Sequence, residues 1–206
     1  MIDGFRIFDD IIDLEDQEKI IEYVKRKDIK WNFLENITGQ YGGNKDKYKF
    51  PAQVHHKLDV KDNYINSLIE KIQTEVCERM NLCFVKNYRY KINWTKPIQN
   101  DYDPRDLTHV DTGQDHIAMV YYINDSSGST CIYENIDGNN AESHKKNFNI
   151  LDHTKLKLAN KIPPKKGRAL VFNGNLYHHG NYPIDGDRFI INYNFAAKQK
   201  NEKNLI

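Results

Sequence analysis

The sequence predicts a mainly β fold, an antiparallel sandwich or jelly roll with helices supporting one sheet. Two amphipathic helical patterns occupy the first 82 residues. From Cys83 onward the chain changes to short aliphatic and aromatic runs separated by Gly, Asn, Asp and Pro. Apolar residues make up 39% of the 206, enough to build one core. Residues 1–206 therefore read as one domain, with helical support over 1–82, a jelly-roll core over 83–197 and a polar tail over 198–206.

Asp13 is a good N-cap, Glu15 and Asp16 bring negative charge to the first helical turn, and Ile20, Ile21 and Val24 share one face. A second helix begins at Asp62 or Asn63 and places Ile65, Leu68, Ile69, Ile72 and Val76 at i, i+3, i+4, i+7 and i+11. Between the two, "ITGQYGGNKDKYKFPAQVHHK" follows neither period and reads as a long loop, with 37–62 a candidate lid. Strands are expected in "FVKNYRYKINW", "HIAMVYYIN", "STCIYEN", "RALVFNG" and "RFIINYNF". No internal repeat is present, and the polar tail "KQKNEKNLI" is expected to be mobile.

Lys+Arg 30 against Asp+Glu 29 leaves a net charge of +1, which weighs against a nucleic-acid or membrane-surface partner. No run approaches the roughly 20 apolar residues of a membrane span, and "MIDGFRIFDDIIDLEDQ" lacks the pattern of a secretory leader. The expectation is a soluble, cytoplasmic protein. Cys77, Cys83 and Cys131 are odd in number and lack Cys-x-x-Cys spacing, which argues against a disulfide framework and a thiolate zinc site.

The segment "LTHVDTGQDHIAMVYYIN" places His109 and Asp111 two apart ahead of a strand. Composition alone yields roughly 0.7 such His-x-Asp pairs by chance, so context has to carry the signal. Period-2 counting from Tyr122 puts Val120 and Ala118 on its face, and small residues beside one tyrosine leave room for a ligand. Downstream, "GRALVFNGNLYHHGNYPIDGDRFIINYNF" runs through a strand, an Asn-Gly turn, the pair His178 and His179, a broken loop and Arg188 at the head of the last strand. Two neutral imidazoles and one carboxylate form a set that binds a divalent iron on one face and leaves other positions open. A bidentate 2-oxo acid fits two of those positions. Its far carboxylate then wants a fixed cation, a role Arg188 suits, with a hydrogen bond from Tyr122.

These residues resemble the Fe(II)/2-oxoglutarate-dependent dioxygenases of the double-stranded β-helix (jelly-roll) fold, and within them the prolyl-hydroxylase-like branch and the phage and bacterial oxygenases. The resemblance covers roughly residues 84–196. It implies Fe(II), 2-oxoglutarate and O2 as cofactors, with His109, Asp111 and a distal histidine holding the metal. The branch's His-x-Gly pattern matches His178 ahead of Gly180 in "HHG", with His179 as the alternative. Arg188 matches the clamp on the 2-oxoglutarate tail, and Tyr122 in "YYIN" matches the tyrosine of a "YYLN"-like strand. Ala118 and Val120 match positions lining the cosubstrate pocket. Asn93 and Tyr90, in "YRYKINW", lie on a strand that in the family presents residues to cosubstrate or substrate.

The chain has "GST" at Gly128 to Thr130 where many prolyl-hydroxylase-like members carry Gly-Gly-x-Thr, so a prolyl substrate is not implied. No Arg follows Arg188, a departure from the nucleic-acid demethylases, and Asp111 is present where halogenases of this fold have a small residue. The resemblance thus implies hydroxylation of a peptidyl side chain, an amino acid or a small metabolite, with release of succinate and CO2. Two alternatives stay open: a metal-binding jelly-roll module without turnover, and a cupin-type dioxygenase that does not use 2-oxoglutarate. His116 falls on the Tyr122 face or in the loop before it, His55 and His56 lie in the suspected lid, and the basic stretch Lys161 to Arg168 reads as a solvated loop.

Overall fold

A computed structural model describes residues 2–35, the backbone of 52–56, and residues 63–98, 103–112, 114–134 and 156–200. In chain order the elements are β1 (Phe5–Phe8), α1 (Leu14–Lys25), β2 (Asn32–Leu34), β3 (Ala52–His56), α2 (Asn63–Arg79) and β4 (Leu82–Thr95). A single 3-10 turn (Pro104–Leu107) then leads to β5 (Ile117–Tyr122), β6 (Thr130–Tyr133), β7 (Leu158–Ile162), β8 (Ala169–Asn173), β9 (His178–Gly180) and β10 (Arg188–Gln199). A seven-stranded sheet has the order β1-β8-β5-β10-β4-β3-β2, and a three-stranded sheet has the order β7-β6-β9. All pairings are antiparallel.

The helices form as the pattern expects. Asp13 accepts a 2.9 Å bond from the Asp16 amide, a cap worth about 1 kcal/mol, and Ile20 and Val24 are buried behind it. In α2 all five periodic residues, Ile65 to Val76, are buried. Both helices lay these faces on the outer side of the large sheet, against Ile92 of β4, Met119 and Tyr121 of β5, Val171 of β8 and Phe195 of β10.

The opposite face of that sheet meets the small sheet. There Ala118, Val120 and Tyr122 pack with Ile132, Leu170, Phe172 and Ile190. With both faces covered, β5 is buried at every position, which is why it reads as an unbroken apolar run. A third cluster, Val110, Cys131, Tyr133 and Tyr177, closes the outer side of the small sheet.

Several short strands depart from the expectation. β7 buries only Ile162, consistent with its place at an edge, so it carries no alternating signal. β3 lies within the stretch read as a loop and pairs with β2 and β4. The rest of that stretch, and with it the lid expectation, falls outside the described residues. β10 runs two residues past Ala197, pairing Lys198 and Gln199 with Cys83 and Leu82. The end of the expected mobile tail, 201–206, is also outside them. Among the described residues no helix is long and apolar enough to cross a membrane.

Candidate metal centre and its cleft

His109 and His178 come together through the backbone before their side chains matter. Each donates its amide to the other's carbonyl, at 2.9 and 3.0 Å, in an isolated antiparallel bridge. In both rings Nδ1 hydrogen bonds to a carbonyl two residues earlier, Leu107 for His109 (2.8 Å) and Leu176 for His178 (2.9 Å). A carbonyl only accepts, so Nδ1 carries the proton and Nε2 presents a lone pair in each ring.

The two Nε2 atoms face Asp111, at 3.7 Å from Oδ1 for His109 and 3.6 Å from Oδ2 for His178. The ligand atoms of the three residues all lie within 4.8 Å of one another. The Asp111 side chain is 4% exposed; Oδ1 accepts from Arg89 Nη2 at 2.9 Å, whereas Oδ2 is buried without a hydrogen-bond partner. Burial pushes this carboxyl up, but the Arg89 guanidinium on Oδ1 favours its charged form. An ionised carboxylate with one orphaned oxygen and two imidazole lone pairs is a donor set that a divalent cation satisfies. The residues therefore fit the metal.

His179 is turned the other way. Successive residues of β9 point to opposite faces, and its ring is held by Thr108 Oγ1 at 3.0 Å on Nδ1 and Asn181 Oδ1 at 2.9 Å on Nε2. Burial pushes its imidazole down to about 4, so it is neutral. Both ring nitrogens are engaged. Of the two histidines, only His178 joins the cluster.

Arg188 is 4% exposed and lines the same cleft as His109 and His178. Its Nε donates to the Gly128 carbonyl at 2.7 Å and its Nη2 to Thr130 Oγ1 at 3.3 Å. Tyr122 donates its hydroxyl to the same Thr130 oxygen at 2.7 Å, and burial keeps that phenol protonated by raising its pKa. The guanidinium fits only because two glycines make room for it. A Cβ on Gly180 would stand 3.0 Å from Nη2, and one on Gly128 would stand 2.6 Å from the Arg188 side chain.

Other expected residues divide by strand parity. Val120 and Asn93 line the cleft, the latter with a buried, unpartnered Oδ1. Ala118 shares their face but packs in the core between the sheets. Tyr90 is a correction. Three residues from Asn93, it lies on the opposite face of β4, bonds Asn66 of α2 through its hydroxyl and packs on Tyr193. His116 is buried against Gly174, with Nδ1 on the Gln114 carbonyl at 2.7 Å. The side chains of His55 and His56 lie outside the described residues. In the basic stretch, Lys165 and Arg168 pair with Asp9, and Lys166 pairs with Glu18.

Arg89, Lys91, Thr130 and Asn192 are site residues the sequence reading missed. The signal for the first two was present in "YRYKINW", where Tyr90, Ile92 and Trp94 alternate with Arg89, Lys91 and Asn93. Apolar members face the helices and polar members the cleft. Lys91 lines the cleft, and burial together with the nearby Arg89 pulls its ammonium below the usual lysine range, against the pull of Asp111.

No protein-family model and no curated protein matches the sequence. Solved structures do match it. A prolyl hydroxylase from Trichoplax adhaerens, in complex with a hypoxia inducible factor peptide fragment, is 13% identical with a TM-score of 0.58, covering 94% of this chain and 84% of that one. A Pseudomonas putida prolyl-4-hydroxylase is 12% identical with a TM-score of 0.56 over 94% and 92%. The epimerase SnoN in complex with Fe3+, alpha ketoglutarate and nogalamycin RO is 10% identical with a TM-score of 0.61 over 97% and 82%. The chain shares the jelly-roll fold of these structures. In this fold the His109, Asp111 and His178 cluster opens into the cleft between the two sheets.

Proposed function

We propose that the chain is an Fe(II)- and 2-oxoglutarate-dependent dioxygenase that hydroxylates a peptidyl side chain, an amino acid or another small metabolite. The observation that carries the reading is the Asp111 Oδ2 orphan, set between two imidazole lone pairs at one part of a cleft in which a buried arginine lies at another. His109, Asp111 and His178 would hold the iron, and Arg188 with Thr130 and Tyr122 would hold the far carboxylate of 2-oxoglutarate. When bound, these groups supply the oxidising power: O2 and 2-oxoglutarate give succinate and CO2, and one oxygen atom enters a substrate C–H bond.

The chain's own residues do the positioning. Leu107 and Leu176 carbonyls fix both imidazoles in the tautomer that ligates through Nε2. Arg89 neutralises Oδ1 and leaves Oδ2 for the metal. The apolar packing of Val120 and Ile190 beside the cleft would keep water from the stem of a bound cosubstrate. The Trichoplax relative takes a peptide and SnoN a small molecule, so the fold accommodates both substrate sizes. A binding module without turnover, or an oxygenase that does not use 2-oxoglutarate, has no use for the Arg188 cradle.

The test is an anaerobic titration of the Fe(II)-reconstituted protein with 2-oxoglutarate, recording visible absorption. A saturable metal-to-ligand charge-transfer band is expected. In Arg188→Leu the band should need at least about 100-fold more 2-oxoglutarate, because a buried charge pair is worth roughly 3 kcal/mol or more, while iron binding is unchanged. Equal cosubstrate affinity in the variant would overturn the assignment.

A further inference from the structure

The inward-facing side chains of the large sheet form rows across its strands. Arg89 stands opposite Asn194, which stands opposite Ala118, which stands opposite Phe172. This row carries the metal cluster, since Arg89 bonds Asp111 and the Phe172 ring lies 4.7 Å from that of His178. The adjoining row is Lys91, Asn192 and Val120, all of which line the cleft. The row beyond holds Asn93 and Ile190, and Arg188 follows opposite Thr95.

Lys91 therefore occupies the place next to the metal row and away from the Arg188 cradle. Among the described residues its ammonium has neither an ion pair nor a hydrogen bond, and none of them that lines the cleft is an Asp or Glu. Among the described residues the charges beside the metal row are unbalanced: Arg89 and Lys91 face one carboxylate, Asp111, and Arg89 is already paired with it. Divalent iron and dianionic 2-oxoglutarate cancel one another, so loading the site leaves that surplus in place. A partly desolvated ammonium without a counter-charge is costly, and an anion beside it removes the cost. The buried Asn93 Oδ1 adds an acceptor that awaits a donor, which dianionic 2-oxoglutarate does not carry.

We propose, building on the oxygenase reading above, that the substrate of this site carries an anionic group, a carboxylate or phosphate, which Lys91 and Asn192 receive beside the metal cluster. The reacting C–H bond then lies near that anion, so the substrate class is an acidic metabolite, an amino acid or an acidic peptide side chain. A neutral peptide segment is excluded.

The experiment uses the anaerobic protein loaded with Fe(II) and 2-oxoglutarate. It is titrated with acetate, with inorganic phosphate and with neutral acetamide while the charge-transfer band is followed, in wild type, Lys91→Met and Lys91→Arg. The expected result is a saturable shift of the retained band with acetate or phosphate and none with acetamide. The anion's half-saturation should rise at least tenfold in Lys91→Met and stay within threefold in Lys91→Arg. No shift with either anion, or an equal shift in Lys91→Met, would overturn the proposal. So would loss of the band on adding anion, or a tenfold weaker 2-oxoglutarate affinity in Lys91→Met with the anion response intact, because either places the cosubstrate's carboxylate on Lys91. Absence of the band in wild type would instead defeat the oxygenase reading, and this inference with it.

Discussion

His178 and His179 carry the same side chain and sit in opposite environments. His178 offers Nε2 to the Asp111 cluster, whereas His179 spends both nitrogens on Thr108 and Asn181. His178→Ala should weaken Fe(II) binding at least about 100-fold, a loss of roughly 2.7 kcal/mol. His179→Ala should leave metal affinity within a few-fold and lower stability by about 1–3 kcal/mol, because buried Thr108 and half-buried Asn181 lose their partner. Anaerobic calorimetric titration of metal and a thermal melt read the two effects separately, and the reverse pattern would move the ligand to His179. From the sequence, the His-x-Gly resemblance in "HHG" favours His178 and keeps His179 as the alternative. Nothing local distinguishes two adjacent imidazoles until β9 is known to be a strand, since only its pairing with β6 decides which of them points inward.

Strand pairing also explains the Arg188 cradle. Gly128 precedes β6 and Gly180 ends β9, and β10 begins at Arg188, so the guanidinium threads between the ends of two other strands. Gly180→Ala would set a methyl 3.0 Å from Nη2 and 3.3 Å from Nη1, so the guanidinium must shift by a few tenths of an ångström. The expected outcome is a 2-oxoglutarate affinity weakened roughly tenfold, about 1.4 kcal/mol, with metal binding intact. The charge-transfer titration measures both, and an unchanged affinity would show that Arg188 does not hold the cosubstrate. The alternation in "YRYKINW" was legible without any structure and separates Tyr90 from Asn93. β7 and β9 were not legible. An edge strand with one buried residue and a three-residue strand carry too few positions for a period to appear.

Across the molecule, the N-terminal turn is tied to the far half of the chain. Asp9 receives Arg168 Nε at 2.6 Å and Lys165 at 3.0 Å, which bridges the β1 to α1 connection and the turn ahead of β8. The Arg168 hydrogen bond outweighs burial and brings the Asp9 carboxyl down to about 2. A carboxyl depressed in the folded state contributes stability that is present above the unfolded value and is lost as pH falls from there through the folded one. Acid unfolding of the wild type should thus steepen between pH about 4 and 2, and Asp9→Asn should flatten that limb. Asp9 is more than a third exposed, so solvent screening keeps the difference below about 1 kcal/mol near neutral pH. Melting curves against pH compare the two, and identical slopes would remove the ion pair from the stability of this contact. By itself the sequence determined what local chemistry dictates: the Asp13 cap, the buried faces of both helices, the apolar β5 run and the His-x-Asp pair ahead of it. Which histidine completes the cluster, that Arg89 takes one Asp111 oxygen, and that Lys91 lies beside the metal row were settled by folding, because those contacts join residues 22 and 69 positions apart or rest on the register of paired strands. Capping and periodicity act within a few residues, so a sequence displays them directly, whereas register across a sheet exists only once the strands have met.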